Sequence, residues 1–368
     1  MQFKDIPGQE TLKKQLIDAV QNNRVAHAQL FLGPKGSPNL AMALAYGQFL
    51  NCHQPSESDS CGSCSSCKKM ARFIHPDVYF SFPTIGTGSM SAELIPKWRE
   101  ILDKTAYFSE YQWMRFINSE NKIGNITKKE SVQIVKNLSL KVLQGNYKIQ
   151  YIWKAEKLEK SGTGNVLLKT IEEPPEKTII LMVANEEDKL LGTIRSRTQY
   201  QRIKPFTEEE MALYLEHKYQ VEPQKAISIA QVADGDVEKA EEFLQEEENP
   251  TAQQLETWLS LCLTNNVASL HKWVEEIAGI GREAQKKLIK YMLYFIRQSF
   301  LLKTGQKQTL TGVEKKMAVQ FVENWEVGQF ERVTSLLNKS HYYIERNVYP
   351  KLLFFNLSIQ FVRMMSHK

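Results

Sequence analysis

Leu30-Phe31-Leu32-Gly33-Pro34-Lys35-Gly36-Ser37-Pro38-Asn39-Leu40-Ala41 reads as a short apolar strand, a glycine-containing turn and the start of a helix. A phosphate-binding loop uses this succession to set backbone N–H groups and a helix N-terminus around a triphosphate. The side chains do not follow the shape. A working loop needs a Lys to reach the β- and γ-phosphates and a Ser or Thr to ligate magnesium, and those two places hold Asn39 and Leu40. The remaining sequence has to explain a nucleotide-binding architecture kept without its catalytic residues.

Outward from the loop, strand and helix patterns alternate. Leu12, Leu16, Ile17 and Val20 recur at helical spacing and predict an amphipathic helix over 9–22, followed by the strand 28–32. The helix after the loop runs from Pro38 to about Leu50, with Pro in its first turn, where a missing N–H costs little. Further strands are predicted at 77–82, 147–153 and 200–203, and the near-continuous apolar run Thr178-Ile179-Ile180-Leu181-Met182-Val183-Ala184 is that of a parallel strand covered on both faces. Val132, Val135, Leu138 and Val142 predict a helix over 128–143, and a second helix from Gly164 is stopped by Pro174-Pro175. The class is therefore α/β. The strand ending at Trp153 runs into Lys154-Ala155-Glu156, where a P-loop ATPase would place adjacent acidic residues for magnesium and water, and only Glu156 is acidic.

Four of the five cysteines, Cys52, Cys61, Cys64 and Cys67, have the spacing C-x8-C-x2-C-x2-C. Two-residue gaps let successive sulfurs point at a common centre, so the four suit one tetrahedral zinc, and four thiolates leave no open position for catalysis. An iron–sulfur cluster is the alternative metal reading. His53 and His75 nearby read as solvated loop residues, and the isolated Cys262 as a small core residue.

At 368 residues the chain exceeds the size of one usual core, so two or three domains are expected. A hydrophobic fraction of 42% with 24% charged residues is ordinary for a globular protein. No apolar run approaches the roughly 20 residues that span a bilayer, and the first residues lack a signal-peptide core, so no membrane partner and a cytoplasmic location are expected. A net charge of +5 from 47 basic and 42 acidic residues permits proximity to nucleic acid without arguing for it.

Residues 83–125 carry Trp98, Tyr107, Tyr111 and Trp113 without one clean period, and read as an insertion with one or two short helices whose aromatics pack locally. Arg195 and Arg197 lie on a short connection before the strand 200–203; spacing alone makes them solvated charges. Pro205 ends the first domain, 206–250 is a small helical unit closing in an acidic linker over 245–250, and 251–368 is all helical. Its last helix, from Lys351, is apolar around much of its circumference and predicts burial in a bundle or against another subunit.

The order of the Gly33-Pro34-x-Gly36 loop, the four-cysteine insert at 52–67, Leu167-Leu168-Lys169-Thr170-Ile171-Glu172-Glu173-Pro174-Pro175 and Thr193-Ile194-Arg195-Ser196-Arg197 resembles bacterial clamp-loader subunits of the AAA+ class. The resemblance is specific over 1–205 and rests on domain order beyond. It implies an AAA+ P-loop parallel-sheet domain (1–205), a small helical lid (206–250) and a C-terminal all-α collar that oligomerises (251–368). It also implies membership of a five-subunit assembly of the DNA polymerase III holoenzyme, with ATPase motor subunits and a delta subunit as partners, and with the sliding clamp and primed DNA reached through the complex. Some members do not hydrolyse ATP, and the losses at Asn39, Leu40, Lys154 and Ala155 fit that branch. Glu238 stands where an active relative offers a phosphate-sensing Arg. The family's Ser-Arg-Cys motif reads Ser196-Arg197-Thr198 here, which implies Arg197 as an arginine finger acting in trans, with Arg195 as the alternative. Zinc is then structural and no ATP hydrolysis is expected. Two other classes remain open: an active ATPase with a divergent loop, and a stand-alone zinc-containing nucleic-acid binder.

Overall fold

The computed structural model describes residues 1–86, 88–119, 122–158, 163–245, 250–264, 266–306, 308, 310, 312–346 and 348–366. The chain forms two compact units, one of Met1–Tyr219 with Asp234–Lys239 and one of Gln220–Ala233 with Ala240–Lys368. Most of the expected acidic linker, 246–249, lies outside the described residues.

The first unit carries α1 (Glu10–Gln21), β1 (Ala28–Leu32), α2 (Asn39–Leu50), α3 (Ser65–Ala71), β2 (Val78–Ser81), α4 (Ser91–Lys104), α5 (Glu110–Phe116) and α6 (Lys128–Ser139). It continues with β3 (Lys148–Trp153), α7 (Thr163–Glu172), β4 (Thr178–Ala184), α8 (Gly192–Arg195), β5 (Gln199–Arg202) and α9 (Glu208–Tyr219). The strands form one parallel sheet in the order β2-β3-β4-β1-β5. β1, β3 and β4 are buried along their whole length, as the apolar run of β4 requires of a strand covered on both faces. Leu32 sits opposite Ala184, and Trp153 opposite Val183. Gly33, Lys154 and Asn185 therefore leave the sheet side by side at its carboxyl edge, where open parallel sheets bind ligands.

The insertion extends the core. Trp98 and Trp113 are fully buried, with ring centroids 5.2 Å apart, and Trp98 stacks on Phe82 at 4.2 Å. Tyr111 stays exposed. Helix α6 ends at Ser139, short of the expected 143, because two buried charges cap the turn that follows. Lys148 Nζ donates to the carbonyls of Leu138 and Leu140, and the Asp77 carboxylate accepts the backbone N–H groups of Leu143, Gln144 and Gly145, each at 2.7 Å. Val142 thus lies outside the helix, and its buried face is Ser131, Ile134 and Leu138.

The second unit is helical, with α10 (Pro223–Ala233), α11 (Val237–Gln245, whose first residues belong to the first unit), α12 (Pro250–Leu263) and α13 (Val267–Gly279). α14 (Arg282–Lys303), α15 (Gly312–Asn324), α16 (Val327–Glu345) and α17 (Pro350–Ser366) complete it. Trp258, Trp273, Phe295, Phe330, Phe354 and Phe361 lie in its core, and Trp258 Nε1 donates to Ser358 Oγ at 2.8 Å. α17 buries Leu353, Phe354, Leu357 and Phe361 on one face and leaves Leu352 exposed, so its apolar circumference is only partly used within the bundle. Cys262 is buried there, which pushes its thiol up to about 12. Among the described residues no helix is long and apolar enough to cross a membrane.

Candidate functional site

The turn after β1 keeps its glycines for reasons of close approach. Gly36 has φ +79°, and a Cβ there would meet Asp236 Oδ1 at 2.1 Å; a Cβ on Gly33 would meet the Ile203 carbonyl and Asn39 Oδ1, each at 2.5 Å. Neighbouring protein groups occupy the approaches to both. Asn39 turns its side chain inward and donates from Nδ2 to the carbonyls of Gly33, at 2.8 Å, and Ala184, at 3.2 Å. Asn185 repeats the stitch, donating from Nδ2 to the carbonyls of Gly33 (2.9 Å) and Pro34 (3.0 Å). Leu40 is 4% exposed and packs as part of α2, all twelve residues of which are buried. The N–H groups of Ser37 and Asn39 are bonded within the turn, to Pro34 O and Ser37 O.

A cation occupies the carboxyl edge. Lys154, at φ +60°, donates from Nζ to Asn185 Oδ1 at 2.5 Å, lies 4.0 Å from Glu156 Oε1, and sits over the Trp153 ring at 5.4 Å. Burial pushes the Lys154 ammonium pKa down and the Glu156 carboxyl up, and the two charges oppose that shift in each other. Glu156 Oε1 also accepts the Asn185 N–H at 3.2 Å. Across the turn, Glu238 accepts the Ser109 hydroxyl at 2.6 Å and pairs with Lys35 at 3.3 Å. The insertion thus reaches the loop through Ala106, Tyr107, Phe108 and Ser109, which with Lys35, Lys154, Asn185 and Glu238 leave a cavity of about 20 Å³. Small-molecule sites need roughly 300 Å³ or more. Sequence reading identified Asn39, Leu40 and Glu238 but missed Ser109 and Asn185; a polar residue directly after the apolar β4 run was the available signal for Asn185.

Arg197 lies at the opposite edge of the sheet. β5 runs parallel to β1 with Gln199 opposite Gln29 and Arg202 opposite Leu32, so Arg197 precedes the strand while the turn follows it. At about 3.3 Å per residue the two are separated by roughly 20 Å along the strands. Arg197 donates from Nε to Glu172 Oε1 and from Nη1 to Thr193 O and Ser196 Oγ, both at 3.1 Å. Arg195 is held differently, by Glu187 at 3.1 Å and Tyr200 OH at 3.3 Å, with Arg202 sharing Glu187. Both arginines are paired with acidic side chains, which spacing did not reveal. Thr198, in place of Cys, is buried and donates to Ile194 O at 3.1 Å, closing the short α8.

The four cysteines converge. Their sulfurs all lie within 4.8 Å of one another, with Cys52–Cys61 at 3.5 Å and Cys61–Cys67 at 3.9 Å; sulfurs about 2.3 Å from one tetrahedral ion stand about 3.8 Å apart. Backbone N–H groups of Cys61, Cys64 and Cys67 donate to the sulfurs of Cys52, Cys61 and Cys64 at 3.2, 3.3 and 3.4 Å. The Cys64 and Ser63 N–H groups hold Cys61 down to about 6, while burial and adjoining sulfurs push Cys67 up. Four thiolates at this separation need a cation, and the donor set fits a closed metal centre such as zinc. His75 corrects its sequence reading: it is 3% exposed, because its ring packs among Met70, Phe73, Val78 and Phe80, and its Nδ1 accepts the Asp77 N–H at 3.2 Å.

A parallel sheet in the order 2-3-4-1-5, a glycine turn after β1 and an arginine-bearing turn before β5 define an AAA+-like nucleotide-binding domain followed by a helical region. Residues 8–207 match the family model described as "DNA polymerase III, delta subunit". The chain belongs to that family of clamp-loader subunits. It is 32% identical over 187 residues to the DNA polymerase III subunit delta' of Yersinia pestis, covering 51% of this chain and 44% of that one. To the DNA polymerase III subunit tau of Bacillus subtilis it is 25% identical over 393 residues, covering 100% of this chain and 62% of that one. The chain thus spans 44% and 62% of the lengths of these two curated relatives. A gamma subunit-related structure from Thermotoga maritima overlaps 97% of this chain and 99% of its own at 17% identity and TM-score 0.38. The Bacillus subtilis clamp loader delta structure overlaps 95% of this chain and 99% of its own, at 10% identity and TM-score 0.34.

Proposed function

We propose that this chain is a delta-prime-type clamp-loader subunit that does not hydrolyse ATP and lends Arg197 to the ATPase site of a neighbouring subunit. One observation carries the reading. Arg197 lies roughly 20 Å along the strands from its own glycine turn, beyond the reach of its side chain, which supports a role toward a nucleotide held by another chain. The filled turn supports the other half: the lysine place is a hydrogen-bonded Asn39, the magnesium-ligand place is a buried Leu40, and the remaining cavity is about 20 Å³. In such a role the chain works in the cytoplasm within the replication assembly. Its partners are motor subunits and delta, it acts on the clamp and primed DNA through them, 206–250 serves as the lid and 251–368 as the oligomerising collar.

Cys52, Cys61, Cys64 and Cys67 hold a structural zinc in this reading. The metal's part is to neutralise four thiolates and tie 52–67 together; the chain supplies three N–H donors to sulfur. No catalytic step uses it.

The test is reconstitution of the loader with Arg197→Ala. An arginine finger is worth about 10³-fold or more at the site it serves. DNA-stimulated ATPase and clamp loading are expected to drop sharply while the variant still assembles, and undiminished activity would remove the finger assignment. A second reading, a tau-type subunit with a working site, is favoured by the length of the Bacillus subtilis tau match. Magnesium-dependent ATP binding by the purified chain would establish it.

A further inference from the structure

We infer that Glu172 is a positioning residue for Arg197, orienting its guanidinium for delivery to the neighbouring nucleotide; this rests on the arginine-finger reading above. Arg197 is fixed by three acceptors. Nε donates to the Glu172 carboxylate at the end of α7, and Nη1 donates to Thr193 O on α8 and to Ser196 Oγ directly after it. Nη2 has no partner among the described residues. With Nε and Nη1 engaged, Nη2 is left to donate to an incoming oxyanion, and a guanidinium already oriented loses less rotamer freedom when that ligand arrives. A sequestered arginine would instead have its whole fork spent on its own chain.

The supports of Glu172 and Arg197 come from separate elements whose ends the sheet brings together. α7 stops at Glu172 before Pro174-Pro175, and the carbonyl of Ile171 is bonded by the His27 ring at 2.7 Å, which fixes the helix end beside the start of β1. α8 enters β5 beside β1, at the same amino edge. Arg195 offers no equivalent arrangement, since Glu187 is shared with Arg202 and Tyr200 takes its Nε. Glu172 and Arg197 remain 46% and 36% exposed, so the pair contributes orientation more than fold stability.

The carboxylate acts here as a hydrogen-bond acceptor, which gives the test its form. In the reconstituted loader, Glu172→Ala is expected to lower kcat for ATP about tenfold with KM unchanged, through misplacement of the arginine. Glu172→Gln keeps an acceptor oxygen for Nε and is expected to retain at least half of the wild-type kcat. Glu173→Ala, on the adjacent exposed residue, serves as the control, and thermal melts confirm that the variants fold. Arg197→Ala separates the two claims: if it impairs turnover while Glu172→Ala stays within twofold of wild type, the positioning role is wrong and the finger reading stands. Unchanged turnover in Arg197→Ala would remove both. Equal losses in the Ala and Gln variants, or faster turnover in both, would also overturn the role, because either result assigns the effect to charge and not to orientation.

Discussion

The turn at 33–39 and the module at 52–67 belong to the same unit and have been completed in opposite ways. At the turn, the polar groups are engaged by the chain itself: the N–H groups of Ser37 and Asn39 bond within it, Asn39 and Asn185 hold its carbonyls, Lys154 stands at the carboxyl edge, and Ser109 with Glu238 closes the approach. At the module the four sulfurs face one another, and their N–H donors come from the module's own backbone. In the proposed reading, protein side chains stand in for the nucleotide at the turn, where neighbouring elements already reach the site. They cannot replace the cation that four clustered thiolates would require, and the full set of four cysteines that could hold one is kept.

The sharpest way to break the contrast is to remove the metal proposed for the cysteine cluster. Chelation, or Cys64→Ser, is expected to destabilise the first unit by about 3 kcal/mol or more, a fall in melting temperature of roughly 6–12 °C for a unit of this size. Calorimetry with metal analysis checks it, and an apo protein melting with the holo protein would show the module to be self-sufficient like the turn. A smaller effect is expected from restoring the missing loop residues. Asn39→Lys with Leu40→Thr removes the two Asn39 hydrogen bonds, costing about 1–2 kcal/mol, and is expected to leave ATP unbound at millimolar concentration, because about 20 Å³ remains beside Lys154 and Tyr107. Calorimetric titration showing magnesium-dependent ATP binding by that variant would mean the refilling is superficial.

The contrast also governs what the sequence could tell. The module was legible because its chemistry is one residue type at a short spacing, and the loss at the turn was legible because Asn39 and Leu40 fall at fixed offsets from Gly33. The refilling was not. Ser109, Lys154, Asn185 and Glu238 are far apart in the chain, and only the alignment of strand ends with the reach of the insertion brings them together. The same holds for the amino edge, where Arg197 reads as a solvated charge until α7 is seen to deliver Glu172 beside it. The fold itself lay in the apolar run of β4 and the alternation around it. The early end of α6 did not, since it depends on Asp77 and Lys148 capping a distant turn.

The smallest effect sharpens the boundary of the module. His75 lies beneath it, lining a cavity of about 10 Å³ with Met70, Phe73, Phe80 and Tyr151. Its Nδ1 accepts the Asp77 N–H, so the neutral ring carries its proton on Nε2, which has no partner among the described residues. Burial pushes its pKa below the ordinary 6.5, with the Asp77 carboxylate pulling the other way. Between that lowered value and 6.5 the folded chain binds fewer protons than the unfolded one, so stability rises with pH across the window and is lost as pH falls through it. Asp77 itself, held down by three backbone donors, keeps its charge until well below this range and does not contribute to the loss. An NMR titration of the His75 ring is expected to give a midpoint below 6.5, and His75→Gln is expected to flatten the fall in stability between neutral pH and the acid end of the window. A midpoint at or above 6.5 would mean that water reaches the ring, and that the packing under the cysteine module is as open as the sequence first suggested.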